Sequence, residues 1–266
     1  GAVTKSVGPR PREGYEEPTM VDVESGMVNA VGLPNPGAQR FSEELRALDG
    51  RRLPVFVSVF GSDDVEFQAV VKTLDGGDFV AYELNLSCPH VEGVGTEVGH
   101  FPELVAKVVR GVKSSTRKPV FAKLSPNTDR LLEVARAAED AGADGFTAVN
   151  TVKAFPIDIE KMGPALSNGR GGLSGGAIRP VALRCVYDLR EASGLPIVGC
   201  GGVGRWEDAV QFFLAGADAV QVGTATLRKM DVFNDINLGV MEYMDRKGVK
   251  ALGDMVGRAH GGRRAA

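Results

Sequence analysis

The chain predicts an α/β fold of the TIM (β/α)8 barrel kind. Three observations predict it: short apolar strands alternate with amphipathic helices, glycine-rich strand ends fall late in the chain, and 266 residues suit one large domain. Continuous apolar strands read as buried on both faces, hence as a parallel sheet covered by helices, which leaves a doubly wound sheet or a barrel. A barrel that holds a phosphate commonly places it at the loops after strands 7 and 8. Here GCGGVG (199–204) and QVGTA (221–225) end the last two strands, which favours the barrel.

In order, the strands are GAVTKS (1–6), VFVSVFG (55–61), FVAYELNLS (79–87), PVFAKLS (119–125), GFTAVNTV (145–152), LPIVGCGG (195–202) and AVQVGTATL (219–227). Each is a short run rich in Val, Ile, Phe and Ala, bounded by turn-forming residues. Helical periodicity fills the gaps: AQRFSEELRAL, DDVEFQAVVKTL, FPELVAKVVRGVKSS, DRLLEVARAAEDAG, AIRPVALRCVYDLREAS and RWEDAVQFFLAGA, with VFNDINLGVMEYMDRKG after the last strand. Counting back from the glycine loops makes GAVTKS the second barrel strand. The reading is therefore a single domain over 1–266 that lacks the first strand and helix, roughly 35 to 45 residues of a βα unit. The alternative is an open sheet. Two long connections, 7–36 and 153–175, leave the C-terminal ends of strands, where barrels build their active sites.

Hydrophobic residues make up 43% and charged residues 24%, the balance of an ordinary globular protein. A formal net charge of -3 gives no basic field for nucleic acid. No apolar run approaches the ~20 residues of a membrane span, and a cytoplasmic location is the default. The three cysteines, Cys88, Cys185 and Cys200, lack CxxC spacing, so neither a disulfide framework nor a metal site is expected.

Polar groups recur at the strand ends: Lys5 and Ser6, Ser58, Asn85 with Ser87 and Cys88, Lys123 with Ser125, then Asn150 and Thr151. Any one of them reads equally well as a solvated strand end, but as a set they converge on one mouth. Cys185, in a helix, and Cys200, in a strand, suit small buried apolar groups. Cys88 differs, since NLSCPH puts its thiol in a turn before a proline that cannot continue a ladder. With no ordered Asp/His/Cys set, acid–base work by the thiol fits better than acyl transfer. The two late glycine loops aim backbone N–H groups at an anion. Lys123 then lies over the ring end of a phosphorylated ligand, or else in an internal ion pair.

The motifs TKS (4–6), MVNAVGLPNPG (27–37), ELNLSCPH (83–90), AKLSPN (122–127), AVNTV (148–152), IDIEKMGPALSNGRGGLSG (157–175), GCGGV and VQVGTA resemble dihydroorotate dehydrogenase of the class 1, cysteine-dependent kind. The likeness is greatest to enzymes with a separate electron-transfer subunit and to their archaeal relatives. Such a resemblance implies an oxidoreductase acting on CH–CH groups in pyrimidine biosynthesis, with FMN at the C-terminal mouth of a TIM barrel. It implies Cys88 as the base taking the C5 proton of dihydroorotate. Lys5, Asn29, Gly32, Leu33, Asn85, His90, Asn150 and Thr151 are then the substrate contacts. The cofactor contacts are then Lys5, Ser6, Ser58, Asn85, Lys123, Gly172, Ser174, Gly175, Gly201, Gly202, Gly223 and Thr224. A homodimer and a partner carrying FAD and an iron–sulfur cluster are also implied; fumarate or a quinone remain alternative acceptors.

One departure concerns the substrate. His90 stands where the dihydroorotate enzymes usually carry asparagine, and LNLSCPH, NTV and the glycine loops are also similar to the pyrimidine-binding half of dihydropyrimidine dehydrogenase. Reduction of uracil or thymine is therefore the alternative activity. A non-redox barrel acting on a sugar phosphate would share the glycine loops but has no use for three asparagines around a planar ring.

Overall fold

The computed structural model describes residues 1–47, 54–87 and 98–261. In chain order the elements are β1 (Ala2–Val3), β2 (Met20–Val23), β3 (Gly26–Asn29), α1 (Ala38–Arg46), β4 (Val55–Val59), α2 (Asp64–Leu74), β5 (Ala81–Asn85), α3 (Pro102–Lys113), β6 (Val120–Leu124), α4 (Leu131–Asp140), β7 (Gly145–Ala148), β8 (Val152–Ala154), β9 (Ile157–Asp158), β10 (Gly163–Pro164), β11 (Gly171–Ser174), α5 (Arg179–Ala192), β12 (Ile197–Cys200), α6 (Trp206–Ala215), β13 (Ala219–Gln221) and α7 (Val232–Lys247). All seven expected parallel strands and all seven helices are present among the described residues. The chain divides into two compact units, Gly1–Tyr15 with Val31–Phe146, and Glu16–Ala30 with Thr147–Ala266.

In the first unit the strand order is β1-β4-β5-β6-β7. Parallel registers align Phe56 with Ala81, Leu84 with Ala122 and Asn85 with Lys123. Val57, Val59, Leu84, Val120, Ala122 and Leu124 are fully buried, as a sheet covered by helices demands. α2 packs between α1 and α3, and α3 also against α4. Their starts follow from local chemistry: Asp63 caps α2 by accepting from the Glu66 N–H at 2.8 Å, and Pro102 opens α3, where its missing N–H costs nothing.

In the second unit β12 and β13 pair in parallel, with Gly199 aligned to Val220. α5 and α6 pack side by side and α7 against α6. Gly248, in the left-handed region at φ 65°, ends α7. The unit also holds an antiparallel sheet in the order β2-β3-β11-β8 and the small β9-β10 pair. These strands occupy the long connections of the sequence.

Two expected elements are corrected. GFTAVNTV is not one strand: β7 ends at Ala148, and Val152 begins β8 of the antiparallel sheet. Between them the Asn150 Oδ1 accepts from the Thr151 N–H at 2.9 Å, a local bond that competes with the ladder. The last strand likewise stops at Gln221, and Thr224–Leu227 forms a short 3₁₀ turn.

Candidate active site

The first unit gathers polar groups at the C-terminal ends of its strands. Ser6, just past β1, shares a 2.9 Å hydrogen bond with Ser58 on β4, and the Asn85 Nδ2 donates to the Ser6 Oγ at 3.1 Å. The Asn85 Oδ1 accepts from the Ser87 N–H at 3.3 Å, so the amide plane is held from both sides. Lys123, aligned with Asn85 across the ladder, reaches back to Glu83, its Nζ 3.2 Å from Oε1. Lys5 is exposed, outside this hydrogen-bonded group.

Gly32 and Leu33 lie in a strained loop of the same unit. Both have positive φ, 81° and 56°, and a bulky Leu seldom holds that conformation without support. Asn35 supplies it: its Nδ2 donates to the Leu33 carbonyl at 2.9 Å, while its Oδ1 accepts from the N–H groups of Gly8 and Gly37. Asn35 was not among the expected site residues, although an asparagine between two prolines in LPNPG is a turn signal. Glu83 was missed as well. Its signal was an acidic residue inside the apolar strand AYELN, where a buried charge calls for a counter-charge.

In the second unit, Asn29 and Gly172 face each other across β3 and β11, with the Asn29 Nδ2 donating to the Gly172 carbonyl at 3.3 Å. Thr151 packs on Gly172 so closely that a Cβ there would lie 2.1 Å from the Thr151 Oγ1. Only glycine fits. The Thr224 Oγ1 donates to the Ser174 Oγ at 2.9 Å, and the Ser174 hydroxyl donates to the Met27 carbonyl. Thus Asn29, Thr151, Gly172, Ser174 and Thr224, expected on four motifs, come together through the antiparallel sheet and the turn after β13.

The glycine loop after β12 follows. Gly201 and Gly202 have φ of 132° and 81°, and a Cβ on Gly202 would sit 2.7 Å from the Gly175 carbonyl oxygen. That oxygen brings the end of β11 against the loop. Asp208, at the start of α6, straps the far side: its Oδ2 accepts from the N–H groups of Gly204 and Arg205, and its Oδ1 lies 2.6 Å from the Arg179 Nη1. Two loop amides are thereby committed to Asp208. Gly223 has open space where a Cβ would be, beside Thr224.

Cys88 and His90 lie outside the described residues. Of the other thiols, Cys185 on α5 is pushed up to about 11, first by burial and then by the Asp188 carboxylate, as suits an unreactive packing group. Among the described residues no His, Cys, Asp or Glu cluster suits a metal ion.

Similarity to known proteins accords with this chemistry. The family model for dihydroorotate dehydrogenase matches residues 1–244. The chain is 49% identical to dihydroorotate dehydrogenase B (NAD(+)), catalytic subunit, of Pyrococcus abyssi over 260 residues, covering 97% of this chain and 86% of that relative. It is 45% identical to the protein of the same name from Methanocella arvoryzae, covering 97% of this chain and 85% of that one. Among solved structures, DHODH from Eimeria tenella in complex with ferulenol has the same fold, with a TM-score of 0.81 and 20% identity, over 96% of this chain and 77% of that one. The barrel class expected from the sequence is therefore the fold of this chain. From its first strand to α7, the chain belongs to the dihydroorotate dehydrogenase family.

Proposed function

We propose that the chain is the catalytic subunit of a B-type dihydroorotate dehydrogenase, oxidising dihydroorotate to orotate in pyrimidine biosynthesis. The observation that carries this reading is near-half identity, along almost the whole chain, to relatives bearing that name. The names also contain NAD(+) and "subunit". They support a partner subunit and NAD⁺ as the final acceptor; that the partner carries FAD and an iron–sulfur cluster is what the motif resemblance implies. A homodimeric catalytic core and a cytoplasmic location complete the reading; no helix among the described residues is long and apolar enough to cross a membrane.

What supports FMN is the donor set. Gly201 and Gly202, in conformations that favour glycine, present backbone N–H groups suited to a phosphate, with Gly223 and Thr224 beside them. Ser174 and Gly175 close on the same loop, and Gly172 offers a surface without a side chain. Lys123, with Ser6, Ser58 and Asn85, suits the polar edge of the ring, where negative charge gathers on reduction. When bound, FMN supplies the two-electron acceptor that takes the hydride from C6 of dihydroorotate.

Cys88 takes the proton from C5, so that one C–H bond yields a proton to sulfur and the other a hydride. Asn29, Asn85 and Asn150 offer both donors and acceptors to the ring's alternating C=O and N–H edge, assisted by Thr151. Lys5 meets the substrate carboxylate, Gly32 and Leu33 shape the cover of the site, and His90 donates to a carbonyl or carboxylate of the substrate. The deciding experiment mixes FMN-loaded protein anaerobically with dihydroorotate or dihydrouracil. Bleaching of the flavin by dihydroorotate supports the reading, whereas bleaching by dihydrouracil alone would transfer it to pyrimidine reduction.

A further inference from the structure

The strand AYELN carries an acid inside an otherwise largely apolar, buried run. Glu83 is only 1% exposed, between Tyr82 and Leu84, both fully buried. An ionised carboxylate in such surroundings is sustained by a nearby cation. Lys123 provides it from the adjacent strand, with 17% of its side chain exposed and its Nζ 3.2 Å away. The register pairs Lys123 with Asn85, two residues beyond Glu83 on the same face of β5, so the lysine reaches back from the functional end of the strand. Stability alone does not call for this pair, since well-packed apolar residues commonly serve as well in a buried strand pair.

We infer that Glu83 is a positioning residue: it fixes the Lys123 ammonium in one place and partly cancels its charge, and so sets how readily the bound flavin accepts electrons. This rests on the FMN reading above. A lysine without its carboxylate attracts the negative charge of a reduced flavin more strongly. Glu83 therefore holds the potential below the value Lys123 alone would give.

The test is the two-electron reduction equilibrium of FMN-loaded protein, read by visible spectroscopy against a reference dye. Glu83→Gln keeps the shape and an acceptor for Lys123 but removes the charge. Its flavin equilibrium is expected to move at least tenfold towards the reduced form, ~30 mV more positive for a two-electron couple. Glu83→Asp keeps the charge and stays within threefold of the parent. In a Lys123→Met background, adding Glu83→Gln changes the equilibrium less than threefold, because the carboxylate then has no ammonium to position or offset. An unchanged equilibrium in Glu83→Gln overturns the inference, as does an equal shift with and without Lys123. So does a Glu83→Gln protein that fails to fold while Glu83→Asp folds, since the carboxylate would then be a structural requirement. If the parent protein takes up no FMN, the cofactor reading falls and this inference with it; uptake with an unchanged Glu83→Gln equilibrium sinks the inference alone.

Discussion

On the proposed reading, Cys88 and Cys185 are thiols put to different uses. One thiol precedes a proline in NLSCPH; the other is half-buried on α5 with its ionisation pushed up to about 11. Replacing Cys88 by Ser is expected to slow flavin bleaching by dihydroorotate by ~10²–10⁴-fold, the usual worth of a positioned base, with the flavin spectrum retained. Stopped-flow absorbance measures it, and a rate within threefold of the parent removes Cys88 from the mechanism. Gly202→Ala places a Cβ 2.7 Å from the Gly175 carbonyl at a φ of 81°. It is expected to cost about 1–2 kcal/mol in backbone strain and to weaken FMN binding at least tenfold, read by fluorescence titration. Lys123, Asn85 and Asn150 stand out in the sequence as polar groups at apolar strand ends, whereas Asn29 enters only through the resemblance. Asn35 and Glu83 were not legible, since each acts on another residue and a sequence does not display its partner.

At the level of elements, periodicity carried the seven parallel strands and seven helices, because each has a hydrophobic pattern of its own length and period. The antiparallel sheet was hidden. Its strands have three or four residues, too short for a period, and its key pairing joins Asn29 to Gly172 across 143 positions. One local hint existed: MVDV and GMVN, separated by two residues, pair as a hairpin with Val23 opposite Gly26. Cap chemistry gives the element-scale prediction. Asp63→Ala removes the acceptor of the Glu66 N–H and is expected to cost about 1 kcal/mol, lowering Tm by roughly 2–4 °C in calorimetry. No change in Tm would mean that the first turn of α2 is held by packing alone.

For the whole molecule, two acids with raised pKa values, buried Tyr82 and half-buried Cys185, contribute to stability on the alkaline side. The Tyr82 hydroxyl is held well above the usual tyrosine range, mainly by burial and then by the Asp75 charge, and donates to the Val71 carbonyl. The Cys185 thiol is raised from 9.0 to about 11. In both, the folded protein keeps a proton that the unfolded chain releases, so stability present below about pH 9 falls as pH rises towards 11. Thermal unfolding followed from pH 8 to 11 is expected to show that decline. Cys185→Ala flattens its earlier part, and an identical slope in the variant would contradict the assignment. The most direct measurement of the central claim is the visible spectrum of the FMN-loaded protein titrated anaerobically with dihydroorotate. The account predicts one equivalent of orotate for each flavin bleached; a protein that takes up no flavin, or a bound flavin that dihydroorotate leaves oxidised, would contradict it.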